Sequence, residues 1–108
     1  MNANVEPIAT TGANPTVRIY AAMELSKSTW VVAIKLPAVE KISLFQIPGG
    51  DIDALVALLE KARQRIGGHA DICTCYEAGY DGFWIHRVLM ARGIENLVLD
   101  SEIGRAHV

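Results

Sequence analysis

Glu24 and Glu77 are the residues whose type and placement could do chemistry. Each lies at the end of an apolar run, Glu24 in YAAMEL and Glu77 in DICTCYE. If the two runs form adjacent parallel strands, their C-terminal ends meet where an open α/β sheet usually carries its site. Two neighbouring carboxylates repel each other and lose solvation, so the pairing calls for a cation. Oxygen donors without a Cys or His cluster select Mg²⁺ or Mn²⁺, metals that clamp the attacking and leaving oxygens in phosphodiester chemistry. A two-metal centre takes about three or four carboxylates, and Asp100, directly after a strand, is a candidate third ligand. A glutamate at a strand end is also commonly just solvated, and that reading stays open beside the metal one.

The other polar candidates have simpler explanations. Asp51, Asp53 and Asp81 stand at helix starts, where negative charge meets the positive end of the helix dipole, and carry no catalytic assignment. Lys27, in a tight turn after Glu24, could touch a nucleic-acid phosphate or could simply be solvated. His86, next to Arg87 on a helix, reads as a surface or boundary residue rather than a base. Trp30 and Trp84 occupy packing positions. Cys73 and Cys75 point to one sheet face if their run is a strand. With no second Cys or His cluster to complete a zinc site, they read as buried free thiols.

These residues must be held by elements that the pattern predicts. Residues 1–16 have no apolar period and read as a loose leader. Val17 to Leu25 and Thr29 to Leu36 read as two strands joined by the polar turn of Ser26, Lys27 and Ser28. Lys41 to Ile47 alternates as a third strand, stopped by Pro48, Gly49 and Gly50. Ile52, Leu55, Val56, Leu59, Ala62 and Ile66 recur at helical spacing behind Asp51 as N-cap, and Gly67 and Gly68 close the helix. Asp71 to Glu77 is a fourth strand. Asp81 to Arg92 is a second helix with Trp84, Ile85, Val88 and Leu89 on one face and Gly93 as its cap, and Ile94 to Leu99 is the last strand.

The order is three strands, a helix, a strand, a helix and a strand: an antiparallel meander followed by two parallel crossovers. With the fourth strand beside the first and the fifth beyond it, the expected fold is an α/β, RNase H-like mixed sheet of five strands in the order 3-2-1-4-5. Right-handed crossovers then place both helices on one face. The other face is expected to be bare, whereas parallel strands normally take cover on both sides.

A chain of 108 residues, 51% hydrophobic and 20% charged, builds one modest core. A formal net charge of −2 offers no general attraction for nucleic acid, so phosphate contacts would need a local patch or other parts of the polypeptide. The N-terminus has neither a basic start nor an apolar h-region, and no apolar run approaches the ~18 residues of a membrane helix; the chain reads as cytoplasmic.

Three segments carry a family resemblance. Residues 20–30 (YAAMELSKSTW), 75–86 (CYEAGYDGFWIH) and 93–100 (GIENLVLD) resemble the N-terminal, RuvC-like domain of DEDD transposases of the insertion-sequence one-ten family. The middle segment is the specific one, and the resemblance covers roughly residues 17–100. It implies a domain that supplies acidic residues for metal-dependent cleavage and exchange of DNA strands. A later domain with a serine nucleophile and an element-encoded guide RNA belong to the same implication, as does a homo-oligomer at full length. Glu77 matches the family's second acid, and Glu24 stands at the place of the first, which is often Asp. The third and fourth would lie in a Lys-Thr-Asp-x-x-Asp segment, which these residues do not contain. The fragment by itself is therefore expected to be inactive. After Asp100 the family pattern continues differently, and residues 101–108 are expected to be an extraneous tail, with 102–108 reading like translated adapter sequence.

Two other functions fit parts of the pattern. An actin-like or sugar-kinase-like ATP-binding half also opens with strands around an acidic strand end, but it expects Gly/Thr-rich phosphate turns, and Ser26 to Thr29 is a poor example. A non-catalytic domain that only binds a full-length transposase or its RNA is the second.

Overall fold

The computed structural model describes residues 17–77, 79, 83–99 and 106–107. Strand β1 (Arg18–Leu25) alternates buried Ile19, Ala21 and Met23 with exposed Tyr20, Ala22 and Glu24, the period-two pattern of a strand packed on one side. The antiparallel β2 (Thr29–Lys35) buries Trp30, Val32 and Ile34 on that same side, and β3 (Ser43–Pro48) pairs with the far edge of β2. In the turn between β1 and β2, the Ser26 hydroxyl donates to the Thr29 carbonyl oxygen.

Helix α1 (Ile52–Arg65) begins as the sequence predicts, with the Asp51 carboxylate accepting from the Ala54 N–H at 2.9 Å. It ends with the N–H groups of Gly67 and Gly68 on the carbonyls of Gln64 and Arg63, a pattern whose left-handed backbone glycine supplies without strain. Strand β4 (Asp71–Glu77) follows, parallel to β1.

Helix α2 (Trp84–Ala91) starts three positions later than the expected Asp81, which lies outside the described residues. Its N-cap position is Phe83, which offers no side-chain cap. The helix closes at Gly93, as the sequence predicts, with Ile94 donating back to the Leu89 carbonyl and both side chains buried. Strand β5 (Glu95–Leu99) runs parallel to β4.

The strands form one mixed sheet in which the five predicted strands stand in the order β3-β2-β1-β4-β5. One addition was not expected. The two-residue strand β6 (Ala106–His107), inside the segment read as an extraneous tail, pairs antiparallel with Val98 and Leu99 of β5. The outer edge of β5 has unpaired backbone groups, and a following stretch of chain can satisfy them whatever its side chains.

Both helices lie on one face of the sheet. Leu55, Leu59 and Ala62 of α1 and Ile85 and Leu89 of α2 join Ile19, Met23, Val32, Ile72, Tyr76 and Val98 in a single buried cluster. The opposite face has no covering element among the described residues, and Tyr20 (52% exposed) and Leu44 (70%) stand open there. No described helix is long and apolar enough to cross a membrane.

Candidate functional site

The register of β1 on β4 fixes where the two glutamates lie. Met23 pairs with Tyr76, so Glu24 and Glu77 are each one residue past that pair, on adjacent parallel strands. Neighbouring strands are about 4.8 Å apart, and equivalent positions point to the same face. Met23 and Tyr76 are buried under the helices, which turns both glutamates to the uncovered face, where both are exposed.

A depression of about 500 Å³ opens at these strand ends. Ala22, Glu24, Cys75, Glu77 and Leu99 are among the residues that line it. Leu99 pairs with Glu77, so the strand leading to Asp100 ends beside the pair. Asp100 itself lies outside the described residues. Among the described residues, no three His, Cys, Asp or Glu side chains form a group able to hold a metal. The two glutamates are a pair of hard oxygen donors, a set that Mg²⁺ accepts when water and substrate phosphates fill its remaining positions.

Two turns stand behind the pair. Lys27 is exposed in the turn between β1 and β2. The Gly49 N–H donates to the Ser28 carbonyl at 2.9 Å, so the turn that precedes α1 is fastened to the turn that follows Glu24.

The remaining candidates have structural work. Asp51 caps α1, and the Asp53 carboxylate accepts from Arg92 at 3.1 Å, joining the first turn of α1 to the end of α2. Trp30 and Trp84 pack with ring centroids 6.3 Å apart, tying β2 to the start of α2. Cys73 and Cys75 are free thiols on the uncovered face of β4, Cys73 buried and Cys75 half-buried. Burial pushes both thiols up from their ordinary pKa; at Cys73 the Glu95 carboxylate and the Cys75 sulfur push the same way, partly opposed by Arg18. A raised thiol has little thiolate at neutral pH and is a poor nucleophile or ligand.

His86 does more than a boundary residue would. Its backbone N–H donates to the Tyr76 hydroxyl at 3.2 Å, and its Nδ1 lies 2.9 Å from Nδ2 of Asn96. The Thr74 hydroxyl stands 2.6 Å from Oδ1 of Asn96. Sequence reasoning missed Thr74 and Asn96. The one signal available was two polar residues at inward positions of otherwise apolar strands.

Over 87 residues the chain is 44% identical to a protein of Sinorhizobium fredii named "Putative transposase y4rJ". The chain is similar to part of a transposase. The match takes in 76% of this chain and 22% of that protein, so the chain spans about a fifth of the relative's length. No family model and no solved structure matches.

Proposed function

We propose that this chain is the portion of a transposase that contributes Glu24 and Glu77 to a divalent-metal centre for cleaving and exchanging DNA strands, built on an RNase H-like, RuvC-like sheet of the DEDD type. The observation that carries the proposal is the parallel register of β1 on β4, which sets the two carboxylates side by side at the C-terminal ends of their strands. Similarity to a named transposase supports DNA as the substrate. The family resemblance adds an element-encoded guide RNA and a homo-oligomer to the proposal.

Glu24 and Glu77 would hold the metal, Mg²⁺ or Mn²⁺, which when bound supplies charge neutralisation at the phosphodiester and activation of the attacking oxygen. The chain's own part is to orient. The strand ends hold both carboxylates on one open face, and the exposed Lys27 in the turn after Glu24 is assigned a contact to a DNA phosphate. The longer arm of Glu24 carries its carboxylate one methylene further out than an aspartate would. Two carboxylates are fewer than the about three or four of a two-metal centre. The remaining acids are assigned to other parts of the polypeptide, and the isolated chain is expected not to cleave DNA.

The test is titration of the 108-residue chain with Mn²⁺, followed by NMR. Paramagnetic broadening is expected to concentrate on the amides of residues 23–25 and 76–77 and to vanish in the Glu24→Gln/Glu77→Gln double variant. Broadening that is spread evenly over surface acids, or that persists in the double variant, overturns the metal assignment.

A further inference from the structure

Thr74 and Asn96 are the buried polar residues of the described core, and they face each other across β4 and β5. An apolar sheet face takes such a pair only if every polar atom finds a partner, because an unsatisfied buried amide costs about 1–3 kcal/mol. The Thr74 hydroxyl serves the Asn96 carbonyl oxygen, with the Glu95 backbone carbonyl also within reach at 3.2 Å. Nδ2 of Asn96 is met by the His86 ring, whose Nδ1 lies 2.9 Å away and accepts from the amide in the tautomer that carries its proton on Nε2.

The same residue is fixed a second time through its backbone. His86 is the third residue of α2, so its N–H is one of the four at a helix start with no partner inside the helix. Phe83 provides no side-chain cap, and the Tyr76 hydroxyl takes this N–H instead. Tyr76 directly precedes Glu77, and its register partner Val98 directly precedes Leu99. The packing of Ile85 and Leu89 is non-directional, whereas these two hydrogen bonds are directional.

We propose that His86 is a positioning residue for Glu77. By joining the start of α2 to the Tyr76 hydroxyl and to Asn96 near the start of β5, it holds the helix against β4 one residue before Glu77, and with it the position at which Glu77 is presented. The consequence for metal binding rests on the function proposed above, but the positioning itself does not.

The experiment compares wild type, His86→Leu and His86→Asn by amide hydrogen exchange and by Mn²⁺ broadening. Asparagine places its Oδ1 where Nδ1 of His86 stands and keeps the acceptor; leucine fills the space without one. Exchange at Tyr76, Glu77, Val98 and Leu99 is expected to quicken about tenfold in His86→Leu relative to the amides of β1 and β2, and to return towards wild type in His86→Asn. A purely structural loss would speed all strands together, and that result overturns the proposal, as does a His86→Asn variant that behaves like His86→Leu. If His86→Leu does not fold, the same amides are read in His86→Leu/Asn96→Leu, where no polar group is stranded at that contact. Wild-type-like exchange at Glu77 in that double variant also overturns the positioning role. Absence of localised Mn²⁺ broadening in the wild type defeats the metal reading alone, since the exchange pattern still decides on His86.

Discussion

A β-carbon placed on Gly49 would lie 2.5 Å from the carbonyl oxygen of Lys27. No real side chain accommodates that distance, and the obstacle is backbone rather than a movable side chain. Glycine at this position lets the turn before α1 press against the turn after Glu24, and the bond from Gly49 to the Ser28 carbonyl confirms the contact.

Gly49→Ala should therefore push two turns apart, costing about 1–3 kcal/mol, the range for overpacking. Denaturant unfolding measures it. Gly50→Ala is the control, since its added carbon meets nothing and its penalty comes from a φ of +82°, costing about 1–2 kcal/mol. A Gly49→Ala variant as stable as wild type would mean that the two turns do not touch. Broadened resonances at 24–28 in Gly49→Ala, but not in Gly50→Ala, are expected by NMR.

The uncovered face supplies the second prediction. Tyr20, Ile42 and Leu97 line an apolar depression of about 290 Å³ there, and Leu44 stands open beside it. Exposed apolar surface of this kind promotes association. The isolated chain should self-associate as its concentration rises, and Tyr20→Arg together with Leu44→Lys should weaken that association by about tenfold or more in sedimentation equilibrium. A wild type that remains monomeric and melts cooperatively would count against a bare sheet face.

The elements were legible in the sequence because short-range rules determine them: alternation marks the strands, and Asp51 and the glycine pairs bound α1. β4 beside β1 was an expectation about the order of these elements, from which right-handed crossovers put both helices on one face. The pairing of Glu24 with Glu77 followed from that order alone. The true start of α2 was hidden because Asp81 has the charge of a helix start, whereas the N–H of His86 is taken by Tyr76, ten residues away. Thr74, Asn96 and His86 likewise meet only through tertiary packing, over separations that no local pattern encodes. β6 was unreadable for another reason: its pairing is backbone to backbone on an open edge, without a side-chain signature.

Cys73 and Cys75 give a pH dependence with a definite sign. Burial raises both folded-state values above those of the unfolded chain, so folding favours the protonated thiols. Their contribution is fully present below the unfolded thiol value of about 8.5 and is lost as pH rises through the folded values. The chain should therefore lose stability above about pH 8.5, and Cys73→Ala/Cys75→Ala should flatten that decline, measured by denaturant midpoints. Equal slopes for the two proteins would refute it. Alkylation of both thiols by iodoacetamide at neutral pH should be slower in the folded chain than in urea.

The glutamate pair should behave oppositely with and without metal. Like charges at neighbouring positions on adjacent strands repel, so Glu24→Gln in a metal-free solution should leave stability unchanged or raise it by up to about 1 kcal/mol. A cation reverses the sign, because binding to the folded state stabilises in proportion to RT ln(1 + [L]/Kd), and the glutamine variant has lost a ligand. Adding Mn²⁺ at millimolar concentration should raise the melting temperature of wild type while leaving Glu24→Gln and Glu77→Gln nearly unmoved. Monovalent salt at matched ionic strength controls for screening, which would relieve the repulsion without any specific site. A salt control that reproduces the whole Mn²⁺ effect would reduce the pair to two solvated strand-end glutamates. A specific Mn²⁺ shift lost equally in both single variants would require that both carboxylates hold one ion.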